Sequence, residues 1–224
     1  MYYWIIFIAV MILSAIIQHT LQSRFTKYSK VPTAGGMTGA EVAAQMLREH
    51  GIKDVKITCI EGTLTDHYDP SNKTVNLSRE VYSGRSVAAA AVAAHECGPV
   101  VQHATGYAPL KLRSALVPVV TFANKTVMWV LLAGVLFIEA FPNLIWIGIA
   151  LFAVTTFFSL VTLPVEINAS QRAVAWIDKT GGICTYETLP MAKDTLKWAA
   201  YTYVIAALSS LATLFYYIGI ARRN

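Results

Sequence analysis

Four apolar segments, at approximately 2–18, 126–142, 144–164 and 200–220, limit what this chain can fold into more than any other feature. A helix of about 20 apolar residues crosses roughly 30 Å of hydrocarbon, and each segment comes close to that length. Composition agrees, since 55% of the 224 residues are hydrophobic and only 14% are charged, a balance foreign to an ordinary soluble domain. The expected fold class is a mainly α integral membrane protein of about four transmembrane helices with a small α+β region. The first segment has no basic residue before its apolar core and no small-x-small site after it, so it reads as a retained anchor rather than a signal peptide. The second can begin as early as Ser114, with Pro118 bending it and Lys125 snorkelling or facing protein. Glu139, Pro142 and Asn143 turn the chain into the third, making a helical hairpin. Three regions follow: an anchor at 1–18, a polar region at 19–113, and membrane helices at 114–224 with an intervening polar segment that carries Glu166.

Basic residues orient the spans. Arg24, Lys27 and Lys30 follow the first, Lys111 and Arg113 precede the second, and Arg172, Lys179, Lys193 and Lys197 lie between the third and fourth. By the positive-inside rule both polar segments are cytoplasmic, which leaves Arg222 and Arg223 on the far side unless the fourth span is re-entrant. The net charge of +5 is dispersed beside apolar spans, which points to the lipid bilayer and not to nucleic acid. Cys59, Cys97 and Cys184 are an odd number at scattered spacings, giving neither a disulfide framework nor a paired metal motif.

Within the polar region, Thr38-Gly39-Ala40-Glu41 is a capping box that opens a helix through about Glu49. A strand is expected at 54–60, and a hairpin at 64–68 and 74–78 around a turn at Asp69-Pro70-Ser71-Asn72-Lys73. The Ala-rich run 87–97 is a strong helix former, with His95 and Glu96 near its end.

That end carries the chemistry. His95-Glu96 begins a helical His-Glu-x-x-His signature, in which imidazoles four apart share one helix face and grip a zinc ion while the Glu polarises its water. Pro99 stands where the second histidine belongs. It has no imidazole and no amide hydrogen, and its ring crowds the preceding turn at a cost of roughly 3 kcal/mol in a helix interior. Gly98 before it tolerates non-helical angles, so the pair reads as a kink; a helix that continued would need packing by Val100, Val101 and Ala104. His103 is about 80° around and roughly 12 Å along the helix from His95, too far to share an ion. His67 could approach only from the hairpin, while His19 and His50 read as interfacial and solvated.

Together with the anchor, four stretches form a specific combination: Leu64 to Pro70 with Lys73 to Ser78, Ala94 to Gly98, Gln102 to Ala104 with Tyr107 to Leu110, and Glu166-Ile167-Asn168-Ala169-Ser170. On these residues the chain resembles the YugP-type membrane zinc metallopeptidases, relatives in mechanism of the HtpX-type membrane proteases, over nearly its whole length. The resemblance implies a zincin-like polar region on the cytoplasmic face of a bacterial cell membrane. It implies zinc as cofactor, with His95 and Glu166 as ligands, a histidine at position 99 as the other ligand, and Glu96 as general base. A peptide or membrane-protein substrate would lie on Thr74 to Ser78 as on an edge strand, making Thr74, Asn76 and Leu77 its contacts. Asn168 and Ser170 would orient the Glu166 carboxylate. With Pro99 in place, two readings stand: a metallopeptidase with hydrolysis lost or severely reduced, or a pseudoprotease that binds a membrane partner or extended peptide. A small transporter or channel component, suggested only by four spans, ranks below both.

Overall fold

The computed structural model describes residues 2–222. Among them the elements run, in order, α1 (Tyr2–Tyr28), α2 (Gly39–Glu49), β1 (Lys56–Ile60), β2 (His67–Asp69), β3 (Thr74–Ser78), α3 (Arg79–Tyr82), α4 (Val87–Ala104), α5 (Ala108–Leu136), α6 (Pro142–Lys179) and α7 (Leu189–Ala221). α1, α5, α6 and α7 are each long and apolar enough to cross a membrane. This is a mainly α membrane protein with a small three-stranded sheet.

The membrane helices extend well beyond the apolar segments. α6 continues for 38 residues through Pro164, so Glu166 belongs to an unbroken helix and not to a polar segment between helices. α7 is likewise continuous to Ala221, which removes the re-entrant alternative, while Arg223 lies outside the described residues. α5 and α6 form the expected hairpin. Its register is fixed where side chains are missing: a Cβ on Gly134 would lie 2.7 Å from Ile145 Cα, and one on Gly148 would lie 2.7 Å from Leu131 Cδ2. Carried along the pair, the same antiparallel register sets Arg113 of α5 beside Glu166 of α6. The rise from Pro142 to Glu166 is about 36 Å, slightly more than one hydrocarbon thickness. Lys125 falls within α5 and not at its end, and its Cβ tilts toward the Arg113 end, the direction in which an ammonium snorkels.

The polar region follows the local signals closely. Thr38 and Glu41 form the reciprocal capping box of α2, which buries Val42, Ala43, Met46 and Leu47 against α4. Asp69 accepts the amides of Ser71 and Asn72 at 2.8 and 3.3 Å, closing the turn between β2 and β3. The sheet order is β1-β3-β2, with β1 parallel and β2 antiparallel to β3. β3 is therefore central and its main chain is paired on both sides, which overturns its reading as an edge strand. The outer strands are β1 and β2.

α4 corrects a second expectation. It starts at the Ser86 cap and runs unbroken through Pro99 to Ala104. Val100 and Val101 are buried as required, but Ala104 is exposed and contributes little. The remaining anchor is Gln102, whose Nε2 donates across the helix pair to Val165 O at 2.8 Å and Asn168 Oδ1 at 3.0 Å. Gly98 serves close approach: a Cβ there would lie 2.7 Å from Ala169 Cβ, 2.8 Å from its Cα and 2.9 Å from its carbonyl oxygen. Gly98→Val is expected to lower unfolding free energy by about 2–3 kcal/mol, because rigid α6 backbone is among the atoms displaced. Denaturant titration of the detergent-solubilised protein checks this, with a loss under about 0.5 kcal/mol counting against it.

Candidate active-site cleft

The close crossing of α4 and α6 places His95 and Glu166 together, as the sequence predicts. Both are buried, and His95 Nε2 lies 3.3 Å from Glu166 Oε2. The ring's other nitrogen, Nδ1, shares a 3.1 Å hydrogen bond with Ser170 Oγ, one turn along α6 from Glu166. Ser170 thus orients the imidazole rather than the carboxylate. Asn168 is engaged elsewhere, accepting from Gln102 and from Arg172 Nε at 2.7 Å.

Glu166 has partners that the sequence reading missed. Arg113 Nη1 donates to its Oε1 at 3.1 Å, and the Tyr203 phenol of α7 stands beside it. In the sequence Arg113 counted only as an orienting charge, and Tyr203 is one tyrosine among 11. Only the hairpin register and the fold of α7 onto α6 single them out.

Glu166, Arg113 and Tyr203 face a cleft of ≈ 360 Å³ whose walls come from different parts of the chain. α4 supplies Glu96, Pro99 and His103, while β2 and its flanks supply Asp66, His67 and Ser71. α5 and α7 close the membrane side with Arg113, Val117 and Tyr203. His67 is held by Thr65 O at 2.8 Å and Asn76 Nδ2 at 3.1 Å, so it lines the cleft without joining the His95–Glu166 pair. His103 is exposed at the rim. Of the expected substrate contacts, Asn76 hydrogen-bonds Thr58 and His67, and Leu77 is fully buried. Neither they nor Thr74 line the cleft.

Burial dominates the electrostatics here. It pushes the Glu96 carboxyl up to about 7, with the charges of Glu166 and Asp66 adding to it and that of His95 opposing it. Asp66 is also raised by burial, against the hydrogen bonds it accepts from the Ser78 amide and hydroxyl at 2.7 and 3.1 Å. For His95, burial opposes the charged form, but the Glu166 hydrogen bond and the charges of Glu96 and Glu166 outweigh it and raise its pKa. Cys97, buried against α2, is pushed far up and is an inert thiol.

Comparison with known proteins gives the class. The family described as "Putative neutral zinc metallopeptidase" matches residues 3–222, and the chain belongs to that family. Among individual relatives, it is 46% identical over 211 residues to the "Putative membrane protease YugP" of Bacillus subtilis (strain 168), covering 94% of this chain and 92% of that protein. No solved structure matches.

The donor set can be tested against the ion in the family's description. His95 and Glu166 offer an imidazole nitrogen and a carboxylate oxygen 3.3 Å apart, of which Glu166 lines the cleft and His95 lies buried behind it. One turn on from His95, Pro99 offers none, and among the described residues no group of three His, Cys, Asp or Glu side chains is placed to hold an ion. The residues present do not make a three-donor zinc centre.

The raised Glu96 pKa predicts a pH signature. An unfolded Glu ionises near 4.5 and the folded one near 7, so ionising Glu96 costs the folded state progressively more as pH rises through that window. Glu96→Gln is expected to leave stability nearly unchanged at pH 4 and to raise it, relative to the parent, by up to about 3 kcal/mol at pH 8. Equal effects at both pH values in denaturant titrations would contradict it.

Proposed function

We propose that this chain is a membrane-bound zinc metallopeptidase by descent in which peptide hydrolysis is lost or severely reduced, and in which the cleft still receives an extended peptide. The observation that carries this reading is Pro99, whose ring lines the cleft where the helix face of His95 needs a second donor. Zinc is the ion named in the family's description, and His95 and Glu166 are the residues that would contribute to holding it. Glu96 is the general base of the ancestral reaction, half-buried at the cleft wall with its pKa pushed up to about 7 by burial. When bound in a complete site, the ion supplies an activated water and polarises the scissile carbonyl. Two donors hold it far more weakly than three.

The cleft and the unpaired outer edge of β2 do not depend on the ion, which favours the pseudoprotease form of this reading. With β3 paired on both sides, an extended peptide pairs along the outer edge of β2, the strand that lines the cleft. We place this cleft on the cytoplasmic side of a multi-pass protein of the bacterial cell membrane. Arg24 and Lys27 at the end of α1 and Lys30 just after it, with Lys111 and Arg113 at the start of α5, support that orientation.

Elemental analysis of detergent-purified protein tests the proposal. The expected zinc content is below about a tenth of an ion per chain, rising toward one in Pro99→His and falling again when Glu166→Ala is added. Cleavage of an unstructured peptide should follow the same order. Equal zinc in the parent and Pro99→His would overturn the reading and mean that another group completes the site.

A further inference from the structure

The membrane face of the molecule has a seam. α5 and α7 each pack along α6, and the two are separated by a groove at both ends of the membrane layer. At one end the groove is the cleft itself, to which α5 gives Ser114 and Val117 and α7 gives Tyr203. At the other it is a recess of ≈ 280 Å³ walled by Met128 and Val135 of α5 and Tyr217 and Ile220 of α7.

The α5 side of this seam is one helix face. Leu110, Arg113, Ser114 and Val117 line the cleft, and Met128, Leu131, Leu132 and Val135 line the far recess. Their three- and four-residue spacing makes a single stripe. From Leu110 to Val135 it extends about 38 Å, enough to cross the hydrocarbon layer. Thr121 and Asn124 continue the spacing between its two halves, and both are exposed. Thr121 is satisfied by Val117 O at 2.7 Å, but the Asn124 amide makes no hydrogen bond among the described residues. It lies about 18 Å along α5 from Leu136, within the membrane layer. A lipid acyl chain cannot satisfy an amide there, whereas a polar side chain on a neighbouring helix can.

We infer that the α5–α7 seam is a docking groove for one transmembrane helix of a client membrane protein, held by apolar packing and by a hydrogen bond to Asn124. The stripe ends in the cleft, so a docked helix delivers the residues just beyond its membrane end to Glu96 and the edge of β2. The client class is thus a membrane-anchored polypeptide read at its juxtamembrane segment, an inference that rests on the peptide-binding reading above.

Photo-crosslinking of the full-length protein in phosphatidylethanolamine–phosphatidylglycerol vesicles tests it. Benzoylphenylalanine replaces Met128 in the far recess, Val117 at the cleft mouth, or Ile12 on the exposed face of α1, one at a time. One probe is a synthetic Leu/Ala helix of about 20 residues with a central Asn and a polar extension; a second is the extension alone. The anchored probe is expected to crosslink at Met128 and Val117 and not at Ile12, and the free extension far more weakly at Val117 and at neither of the other two. Asn124→Leu should weaken the Met128 crosslink about threefold to tenfold, the size of one interhelical hydrogen bond, with Asn124→Gln restoring it. Equal crosslinking at Ile12 and Met128 would overturn the groove as ordinary lipid exposure. Copy-to-copy crosslinks at Met128 that the probe does not displace would overturn it in favour of a second copy of this chain. Free extension bound at Val117 as strongly as the anchored probe would overturn the seam and leave peptide binding standing. Anchored probe at Met128 without any crosslink at Val117 would overturn presentation to the cleft, and with it the peptide reading.

Discussion

The close crossing of α4 and α6 is the contact on which the site depends. Gly98 lets the backbone of one helix lie against Ala169 of the other, and Gln102, one turn further, fastens the pair through Val165 and Asn168. His95 lies one turn before Gly98, and Glu166 one turn before Ser170, so the same contact fixes the 3.3 Å approach of imidazole and carboxylate. The approach of His95 to Glu166 owes nothing to loops. It is carried by helices that cannot shift without opening a packed interface.

That interface also accounts for how Pro99 is accommodated. A proline in a helix interior costs about 3 kcal/mol through its missing hydrogen bond and the crowding of the preceding turn. Burial of Val100 and Val101 and the Gln102 clamp lie immediately beyond it and hold the last turn in place. The electrostatic consequence is different in kind. Glu166 is buried beside Glu96, and Arg113 and Tyr203 surround it with donors. The buried carboxylate thus has an opposite charge beside it without any further cation. The fold therefore tolerates the proline at 99 even though the donor set does not.

Local chemistry was legible in the sequence, and distant register was not. The capping box at Thr38 and Glu41, the Asp69 turn and the Glu139–Asn143 break depend on neighbours a few residues apart, and each is found where the residues place it. The pairing of His95 with Glu166 was legible only because both lie in a recognisable combination of motifs. Helix ends were underestimated because hydropathy marks where lipid begins, whereas α6 continues as helix into the polar layer. The place of β3 in the sheet was misread because alternation of polar and apolar residues is the same in an edge strand and a central one. Arg113 and Tyr203 carry no sequence signal of their own; each becomes meaningful only when separate helices are set side by side.

The length of α6 couples the cleft to the bilayer itself. The residues from Pro142 to Glu166 form one rigid rod with no loop to absorb a change in length. With the hairpin turn at the Pro142 end, the helix reaches Glu166 only slightly beyond about one hydrocarbon thickness. A change in bilayer thickness is met by tilt of this helix or by adjustment of the lipid around it, and either alters the surroundings of the carboxylate. Lipid thickness thereby reaches the site along a single helix, with no loop between them.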